Sequence, residues 1–384
     1  MKIGVVAGEA SGDLLGAELI QAVRARRPDA EFYGVGGPKM QAVGCDIIAP
    51  SSELAVRGLT EVIAHLPRLL RLRRSLARRF SRDRPDLFIG IDAPDFNLGL
   101  ERKLKRRGLR TIHYVSPSIW AWREDRIGGI GAAADHVMTL FPFEPAIYAR
   151  AGIAATYVGH PLADAAPLLS TRGERRRQRM LTATQPVVAL LPGSRVSELE
   201  MHAELFIGAA RLFHNAHPDT HFLVPLVNRE TRMIFENALF HAGAQDLPLT
   251  LLYGHADDAF AAADIALVAS GTATLEAALY RCPHIIAYRV GGITARWVRR
   301  QLRVPWVGLP NVLAGRFIVP ELLQDDATPE NLAQALLNLY ADRVVRGQLG
   351  RIFARIHEAL RQGSAERAAD VVLAQIAHGA KARA

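Results

Sequence analysis

Short apolar runs alternate with amphipathic stretches through the first half of the chain. The amphipathic stretches, such as Leu14–Ala25 and Leu98–Arg107, have the spacing of helices that bury one face. Strands that alternate with helices in this way predict an α/β fold, in which a parallel sheet is covered by helices on both faces. The strand candidates are Ile3–Ala7, Glu31–Val35, Leu87–Ile91, Thr111–Val115, His136–Leu140 and Ala155–Val158.

The pattern changes after His160-Pro161. Residues from Leu162 to about Gln185 are polar and strongly basic, which indicates a linker or the lead-in to a second domain. The alternation then restarts, and from Thr328 onwards the sequence is helical throughout. The strand candidates of this half are Val187–Leu191, Thr220–Val224, Leu249–Leu252, Ile265–Val268 and His284–Ala287.

These patterns predict two doubly wound, Rossmann-like domains that face a cleft, and a helical C-terminal region. The expected bounds are 1–165 for the first domain and 166–345 for the second. Residues 346–384 are expected to return to the first domain or to pack on a dimer partner. Ligands of open α/β sheets bind at the carboxyl ends of the strands, so the residues that follow each strand are the candidate sites.

The composition limits the possible partners. Hydrophobic residues make up 49% and charged residues 22% of the 384 residues, which is ordinary for a globular protein. No apolar run is long enough for a transmembrane helix, and the first one is too short for a signal peptide, so we expect a cytosolic protein. The formal net charge of +9 favours an anionic partner: nucleic acid, a phosphorylated substrate or an anionic lipid surface.

Cysteine and histidine give no sign of a metal site. Cys45 and Cys282 are the only two cysteines and lie far apart, which favours buried thiols over a disulfide or a zinc site. The 13 histidines form no HExxH motif or carboxylate-rich cluster, so a tightly bound metal is not expected.

The strongest chemical signal follows the strand Ile265–Val268. Small residues there let backbone amides approach a ligand, and a helix beginning near Thr272 would direct its positive dipole end towards a phosphate. Glu276, about one turn further on, could accept two hydrogen bonds from a ribose diol. The alternative is an ordinary Ser/Thr N-cap with a capping-box-like glutamate. The candidate phosphate-binding residues are Ser270, Gly271, Thr272 and Ala273.

A second loop of this kind ends the first strand of the second half. Gly193 and Ser194 precede Arg195, whose guanidinium could clamp a diphosphate and neutralise charge as a nucleotide leaves. The alternative is a surface ion pair of Arg195 with Glu198 or Glu200. Two such loops on neighbouring strands favour nucleotide binding over this alternative.

Two glycine-containing loops occur in the first half. Gly8–Asp13 follows the first strand and resembles a phosphate loop, but it matches neither the P-loop nor the GxGxxG motif. Gly34–Gly37 is a near miss for the dinucleotide motif, because Lys39 stands where the last glycine belongs. We interpret this second loop as a turn.

Carboxylates gather at the carboxyl end of the strand Leu87–Ile91. Either Asp92 or Asp95 could act as a general base. Asp95 lies just before the helical pattern and suits the role of N-cap better, so Asp92 is the candidate catalytic base.

Two of the four tryptophans, Trp120 and Trp122, lie in the loop after the strand Thr111–Val115. Aromatic faces can stack on sugar rings or cover acyl chains. The alternative is that these tryptophans fill the core, but their place at a strand end favours a ligand-binding function.

The stretch Leu66–Phe80 predicts a basic amphipathic helix, the type that lies on anionic membrane surfaces. The alternative, slightly favoured for the leucines, is that they face the core while the arginines are solvated. The membrane-facing candidates are Leu69, Arg71, Leu72, Leu76, Arg78 and Phe80.

Nine segments, in order along the chain, resemble the lipid-A-disaccharide synthase family. Each motif alone is weak, but nine in register are highly specific, and they cover nearly the whole chain without departing from the family's motifs. They are GEASGD at Gly8–Asp13, GVGGPKM at Gly34–Met40, IDAPDFN at Ile91–Asn97, HYVSPSIWAWR at His113–Arg123, FPFE at Phe141–Glu144, VGHPL at Val158–Leu162, LLPGSR at Leu190–Arg195, ASGTATLE at Ala269–Glu276 and LPN at Leu309–Asn311.

The resemblance implies an inverting, metal-independent glycosyltransferase of GT-B fold, with a UDP-sugar as substrate and no cofactor. The donor would be UDP-2,3-diacylglucosamine and the acceptor 2,3-diacylglucosamine 1-phosphate. The products would be UDP and the β-1,6-linked tetraacyl disaccharide 1-phosphate of lipid A biosynthesis. The resemblance also implies a peripheral protein on the cytoplasmic face of the inner membrane, in contact with anionic phospholipids, and an intertwined homodimer.

Together with the resemblance, the loops assign a substrate to each domain. The second domain would bind the nucleotide, and the family motifs add Tyr288 and Asn311 to its candidates. The first domain would bind the acceptor, with Asp92 as the base that deprotonates the 6-hydroxyl. The acceptor-binding candidates are Gly8, Glu9, Ser11, Asn97, Ser116 and Trp120.

Three alternatives remain. A UDP-N-acetylglucosamine 2-epimerase would share the phosphate-binding loops, but it would need neither the basic amphipathic helix nor the tryptophan loop. A nucleic-acid-binding protein would suit the charge, but the sequence contains no RRM, KH or zinc-finger motif. A membrane-bound scaffold with an inactive site is disfavoured by Asp92, Arg195 and Glu276.

Overall fold

The chain forms two compact units in the computed structural model. The first unit comprises Met1–Asp164 and Leu360–Ala384, and the second comprises Ala165–Ala359. The boundary expected after residue 165 is therefore placed after residue 164, and the chain rejoins the first unit at Leu360 and not at 346. The residues that the structure describes are 1–54, 59–122, 126–291 and 305–381.

The first unit contains a parallel sheet of seven strands. Its strands are β1 (Lys2–Ala7), β2 (Glu31–Gly36), β3 (Asp46–Pro50), β4 (Leu87–Ile91), β5 (Thr111–Tyr114), β6 (His136–Thr139) and β7 (Ala155–Tyr157). Its helices are α1 (Ala10–Arg26), α2 (Pro38–Ala42), α3 (Leu59–Asp83), α4 (Pro94–Lys105), α5 (Ile119–Trp122), α6 (Ile127–Gly131), α7 (Glu144–Arg150) and, at the boundary, α8 (Pro161–Ala165), with a 3₁₀ turn at Ser51–Glu53. The strand order is β3-β2-β1-β4-β5-β6-β7.

The second unit contains a parallel sheet of six strands. Its strands are β8 (Val187–Leu191), β9 (His221–Leu226), β10 (Leu249–Tyr253), β11 (Ile265–Ala269), β12 (His284–Tyr288) and β13 (Glu321–Leu323). Its helices are α9 (Arg172–Gln178), α10 (Val196–Ala216), α11 (Arg229–His241), α12 (Ala256–Ala262), α13 (Thr272–Leu279), α14 (Leu309–Ala314), α15 (Pro329–Ala341) and α16 (Arg343–Leu360), with a 3₁₀ turn at Gln324–Asp326. The strand order is β10-β9-β8-β11-β12-β13.

The strand order of each sheet reverses at its first strand. β1 is paired with β2 on one side and β4 on the other, and β8 is paired with β9 and β11 in the same way. Ligands of parallel sheets bind in the crevice outside the carboxyl ends of the strands at such a reversal. The loops at these two places begin at Gly8 and Asp92 in the first unit, and at Pro192 and Ser270 in the second.

The C-terminal helix α17 (Ser364–Lys381) covers one face of the first sheet. Its Ala368, Ala369 and Val372 are buried in the same core as Leu15 and Leu19 of α1. Small side chains on α17 let it pack closely against α1, which explains why the chain returns to the first unit at its end.

The basic segment after residue 162 is folded onto the second unit. Arg176 of α9 is buried and donates to Asp264 at 2.7 Å, while Arg175 and Arg179 form ion pairs with Asp258 of α12 at 3.0 and 3.1 Å. These paired guanidinium groups explain how so polar a stretch packs against the domain. Of the two alternatives predicted from the sequence, a linker or the lead-in to a second domain, α9 fits the lead-in.

Helix α3 faces the core with its C-terminal half. Leu76 is 2% and Phe80 0% exposed, and both belong to a core cluster with Val6 and Phe88. The rings of Phe80 and Phe88 lie 5.0 Å apart in an edge-to-face arrangement. The membrane-facing role predicted for Leu76 and Phe80 is wrong, because these side chains cover the sheet.

The rest of the predicted membrane set is more accessible. Arg71 and Arg78 are exposed, and Leu69 and Leu72 are half-buried. Leu66, one turn before Leu69, is 47% exposed. Within the described ranges, no helix is both long and apolar enough to cross a membrane.

Candidate active site

The turn after β4 places Asp92 at the reversal point of the first sheet. Asp92 and Ala93 both have left-handed backbones, with φ of 53° and 43°, a conformation that is uncommon for non-glycine residues and costs energy for a residue such as alanine. The N–H of Asp92 donates to the carbonyl of Tyr114 at 2.8 Å. A Cβ on Gly8 would lie 2.4 Å from the Cβ of Ala93, so the loops after β1 and β4 are in contact there.

Asn97 braces this turn from inside. It is fully buried, and its Nδ2 donates to the carbonyls of Val6, Ile91 and Asp92 at 3.1, 3.2 and 2.8 Å. The sequence places Asn97 among the acceptor-binding candidates, but these contacts make it a residue that positions Asp92.

The neighbouring Asp95 is not an N-cap. Ala93 occupies the N-cap position of α4, and the 86% exposed carboxylate of Asp95 forms an ion pair with Arg126 at 3.2 Å. The N-cap lies two residues before the expected position, because the helix begins at Pro94, directly after the left-handed pair.

The loop after β1 presents three exposed residues: Glu9, Ala10 and Ser11. Asp13 behind them is buried and accepts hydrogen bonds from the N–H groups of Gly37, Lys39 and Met40, at 2.7, 3.0 and 3.0 Å. The segment Gly34–Gly37 is thus a turn that Asp13 holds, and a Cβ on Gly37 would lie 2.6 Å from Oδ2 of Asp13.

Trp120, at the carboxyl end of β5, is part of an aromatic cluster. Phe141 and Phe143 are parallel at 5.7 Å, and the indole of Trp120 lies edge-on to them at 6.3 and 5.4 Å. All three side chains are half-buried. The cluster therefore offers a partly exposed aromatic surface beside the strand that carries Asp92.

Ser116 is buried beneath this cluster. Its hydroxyl bonds the Tyr148 hydroxyl at 2.8 Å. Glu144, whose Oε2 accepts from the N–H groups of Leu140 and Phe141 at 3.2 and 2.9 Å, is also buried, and burial raises its pKa to about 7. Ser116, an acceptor-binding candidate from the sequence, therefore stabilises the loop that carries Trp120.

In the second unit, helix α13 begins where the sequence predicts a phosphate site. Gly271 is its N-cap with φ 147°, a backbone conformation that favours glycine. The N–H groups of the first turn have no acceptor within a helix, so those of Thr272 and Ala273 are free to bind an anion. The N–H of Ser270 instead donates to Ala287 at 3.2 Å within the sheet.

Glu276 is one turn into α13. A capping-box glutamate lies three residues after the N-cap, and that position is held by Thr274, whose hydroxyl donates to Gly271 at 2.8 Å. The capping-box alternative for Glu276 is therefore excluded. Burial, reinforced by Asp257, raises the pKa of Glu276 to about 7.

The loop after β8 is held by Glu198. Its Oε2 accepts from the N–H groups of Ser194 and Arg195 at 2.8 and 3.2 Å. Arg195 is exposed. Although Arg195, Glu198 and Glu200 are all described by the structure, the guanidinium forms no ion pair with either glutamate. Gly193 has φ 139°, and a Cβ there would lie 2.5 Å from the Cβ of Glu198.

His202 was missed by the sequence analysis. It is fully buried on α10, donates from Nδ1 to Pro192 at 2.9 Å, and accepts at Nε2 from the N–H of Arg289 at 2.8 Å. Its ring is 5.7 Å from that of Tyr288, a nucleotide-binding candidate that is half-buried. The only signal in the sequence was a histidine one turn after Glu198, which is too common a feature to single out.

Asn311 is a structural residue in this conformation. Its Nδ2 donates to Val319 and Glu321 at 2.9 and 2.7 Å, and its Oδ1 accepts from the N–H groups of Ile318 and Val319, both at 2.8 Å. Every hydrogen-bonding group of the side chain is engaged, so it fixes the loop before β13 and does not offer a group to a nucleotide.

The described residues contain no group of three or more His, Cys, Asp or Glu side chains that could hold a metal ion. Among the described residues of the loops after β8 and β11, the N-terminus of α13 at Thr272 and the guanidinium of Arg195 can neutralise an anion.

Comparison with known proteins gives concordant results. The family model described as lipid-A-disaccharide synthetase matches residues 3–374. A lipid-A-disaccharide synthase of Methylobacillus flagellatus is 53% identical over 97% of this chain and 99% of its own.

Solved structures resemble this chain in fold. The glycotransferase of kitacinnamycin has a TM-score of 0.62 and 16% identity over 97% of this chain and 98% of its own. A putative UDP-N-acetylglucosamine 2-epimerase from Listeria monocytogenes has a TM-score of 0.63 and 13% identity over 98% and 95%. At such identities the likeness shows the GT-B fold alone, and it does not favour the epimerase over a glycosyltransferase.

Proposed function

The chain belongs to the lipid-A-disaccharide synthetase family, and from that premise we propose how its two units perform the reaction. The enzyme is a UDP-sugar glycosyltransferase that joins two acylated glucosamine units. It transfers 2,3-diacylglucosamine from UDP to 2,3-diacylglucosamine 1-phosphate, giving UDP and the β-1,6-linked disaccharide 1-phosphate. The match of family and relatives over nearly the full chain is the observation that carries this function.

The second unit binds the UDP part of the donor. The free N–H groups at the start of α13 and the guanidinium of Arg195 hold the diphosphate, and Ser270 offers its half-exposed hydroxyl. Glu276 accepts hydrogen bonds from the ribose hydroxyls, for which a half-buried carboxylate without a capping role is suited. Tyr288 lies beside His202 at the end of the neighbouring strand β12.

The first unit binds the acceptor. Asp92 lies in the strained turn at the reversal point of the sheet, where it takes the proton from the 6-hydroxyl as that oxygen attacks the anomeric carbon. Gly8, Glu9 and Ser11 border the same crevice, and Trp120 provides an aromatic face.

The reaction needs no metal and no cofactor under this proposal. The charge that develops on the departing UDP is compensated by Arg195 and by the dipole of α13. Inversion follows from direct attack by the acceptor hydroxyl on the face opposite the leaving group.

The enzyme acts at the cytoplasmic face of the inner membrane as a peripheral protein. Leu66 and Leu69 approach the lipid, while Arg71 and Arg78 meet anionic phospholipid headgroups. Leu72, predicted from the sequence to face the membrane, packs instead against the core that contains Leu76 and Phe80. Its substrates carry acyl chains, so docking of this kind gives access to them. A homodimer through the C-terminal helices is part of the same proposal and rests on the family resemblance.

Release of UDP from UDP-2,3-diacylglucosamine, with and without the acceptor, tests this function. We expect release that depends on the acceptor and that Asp92→Ala abolishes while leaving UDP affinity unchanged. Asp95→Ala is the matched control, because Asp95 is exposed in the first turn of α4, three residues after Asp92, and its carboxylate forms an ion pair with Arg126. Turnover of plain UDP-N-acetylglucosamine, without release from the acylated donor, would instead support the epimerase alternative.

A further inference from the structure

A buried polar cluster lies beneath the Asp92 turn. The sheet register places Gly90 of β4 beside His113 of β5, and Asn97 and Glu101 are one turn apart on α4. The side chains of Asn97, Glu101 and His113 are all 0% exposed. His113 Nδ1 and Glu101 Oε1 are 2.8 Å apart.

Gly90 provides the space for this cluster. A Cβ on Gly90 would lie 2.0 Å from Oε1 of Glu101 and 3.0 Å from the Cβ of Asn97. The two side chains therefore lie side by side over the same glycine, directly before Ile91 and Asp92.

Three atoms of the cluster are buried without a hydrogen-bond partner: Asn97 Oδ1, Glu101 Oε2 and His113 Nε2. Buried polar atoms rarely lack a hydrogen-bond partner. An ionised Glu101 carboxylate can only accept hydrogen bonds, so it cannot donate one to Oδ1 of Asn97. A proton on Oε2 would supply the missing donor for Oδ1 of the adjacent Asn97. His113, neutral with its proton on Nδ1, would then donate to Oε1 of Glu101.

The protonated form also suits the electrostatics of the site. Burial raises the pKa of Glu101, and His113 is the only titratable group among the described residues that opposes this effect. A neutral pair carries one proton on Glu101 and one on His113, whereas an ionised pair carries both protons on His113. The two forms therefore hold the same number of protons and differ only in their position. A neutral pair avoids placing two charges in an apolar interior.

We propose that Glu101 is a protonated positioning residue that holds Asp92 through Asn97. The bond from Oε2–H to Oδ1 fixes the orientation of the Asn97 amide, so that Nδ2 faces the carbonyls of Val6, Ile91 and Asp92. The proposal rests on the proposed role of Asp92 as the base, because Glu101 itself does not touch the substrate.

The protonation state can be measured without an activity assay. The infrared carbonyl stretch of a protonated carboxyl group is recorded well above pH 7, where Glu144 and Glu276, with pKa values of about 7, are ionised. We expect a band in the wild type that Glu101→Gln removes. Identical spectra would show that Glu101 is ionised and would overturn the proposal.

Kinetics then test the positioning role. Glutamine can accept from His113 and donate to Asn97, so Glu101→Gln should keep kcat within a few-fold, whereas Glu101→Ala should lower kcat about 10- to 100-fold with the KM for the donor unchanged. Leu104→Ala is the control, because Leu104 is equally buried on α4 but has no link to Asn97. Its stability should fall without the specific loss of kcat.

Two outcomes contradict the kinetic prediction: a Glu101→Gln enzyme as impaired as Glu101→Ala, or a Leu104→Ala enzyme with the same loss of kcat. A wild-type enzyme inactive on the acylated substrates would overturn the proposed function instead, and the infrared result would still report on Glu101.

Discussion

The buried ring of His202 accepts a hydrogen bond at Nε2 from the backbone N–H of Arg289, 2.8 Å away. At Nδ1 the same ring donates to the carbonyl of Pro192 at 2.9 Å. Only a neutral imidazole can do both, and burial lowers the pKa of His202 in agreement with this. The ring thus ties the loop that carries Arg195 to the end of β12, where Tyr288 lies.

Replacing His202 should therefore weaken nucleotide binding. In His202→Ala the loop after β8 and the end of β12 lose their connection, and we expect about a 10-fold higher Kd for UDP by calorimetry. His241→Ala is the control, because His241 is exposed on α11 of the same unit. A folded His202→Ala protein that binds UDP like the wild type would contradict the role given to this residue.

Glu276 should make UDP binding depend on pH. Its pKa of about 7 means that the ionised form, which accepts hydrogen bonds from the ribose, predominates only above that pH. UDP affinity should therefore be highest above pH 7 and fall as the pH falls through 7. We expect Glu276→Gln to bind about 10-fold more weakly at pH 8 and to lose this part of the pH dependence.

The UDP phosphates titrate as well, so the comparison is made between variants. The difference in binding free energy between wild type and Glu276→Gln should shrink as the pH is lowered from 8 to 6. Glu200→Gln, on the exposed side of α10, should follow the wild type throughout. A difference that is constant with pH would show that Glu276 does not act through its charge.

The sequence predicted most of the fold because its strands are continuous apolar runs. β4, for instance, reads LFIGI and is buried throughout, as expected for a parallel strand between two layers of helices. β3 and β13 escaped prediction, because Asp46–Pro50 ends in proline and Glu321–Leu323 has only three residues. Neither has a pattern that separates a short edge strand from a loop.

The site was predictable only where strand ends carry small or charged residues. Asp92, Arg195 and Glu276 stood out in that way. The positioning function of Asn97 did not, because one of its partners, the carbonyl of Val6, is 91 residues away in sequence. A side chain that bonds the backbone of another element leaves no local pattern.

Helix α3 illustrates a different limit. An amphipathic pattern shows that one face is apolar but not whether a sheet or a membrane covers it. In the structure the sheet covers Leu76 and Phe80 at the C-terminal end of this face. Substitutions at that end should therefore affect the stability of the fold, and substitutions at the N-terminal end should not. Phe80→Ala should lower the free energy of unfolding by about 3–5 kcal/mol, whereas Leu66→Ser should leave it nearly unchanged.

Liposome binding should show the reverse order. Leu66→Ser combined with Leu69→Ser should reduce sedimentation with anionic vesicles, because these side chains are the accessible part of the apolar face. The control is Leu212→Ser, which replaces an exposed leucine of the second unit. Equal binding of the double variant and the wild type would show that α3 is not the membrane-docking surface.

Two buried histidines should limit stability in acid. Burial lowers the pKa of His160 in the first unit, against a weaker opposing effect of Asp164, and that of His284 in the second, each to about 4. The unfolded chain binds a proton at each histidine below about pH 6.5, whereas the native state does not until about pH 4. Above pH 6.5 these two histidines therefore do not change the free energy of unfolding. As the pH falls from about 6.5 to about 4, each of them lowers that free energy, with a limiting slope of about 1.4 kcal/mol per pH unit.

Calorimetric unfolding between pH 8 and 4.5 measures this loss. We expect His160→Asn and His284→Asn to be less stable than the wild type at pH 8, because each loses packing, and His284 also loses its bond from Nδ1 to Cys282 at 2.9 Å. As the pH falls, each variant should lose stability more slowly than the wild type, since one proton-binding group of the unfolded state is gone. His241→Asn, at an exposed position, should run parallel to the wild type. If His160→Asn and His284→Asn also lose stability with falling pH at the same rate as the wild type, groups other than these two histidines must cause the acid sensitivity.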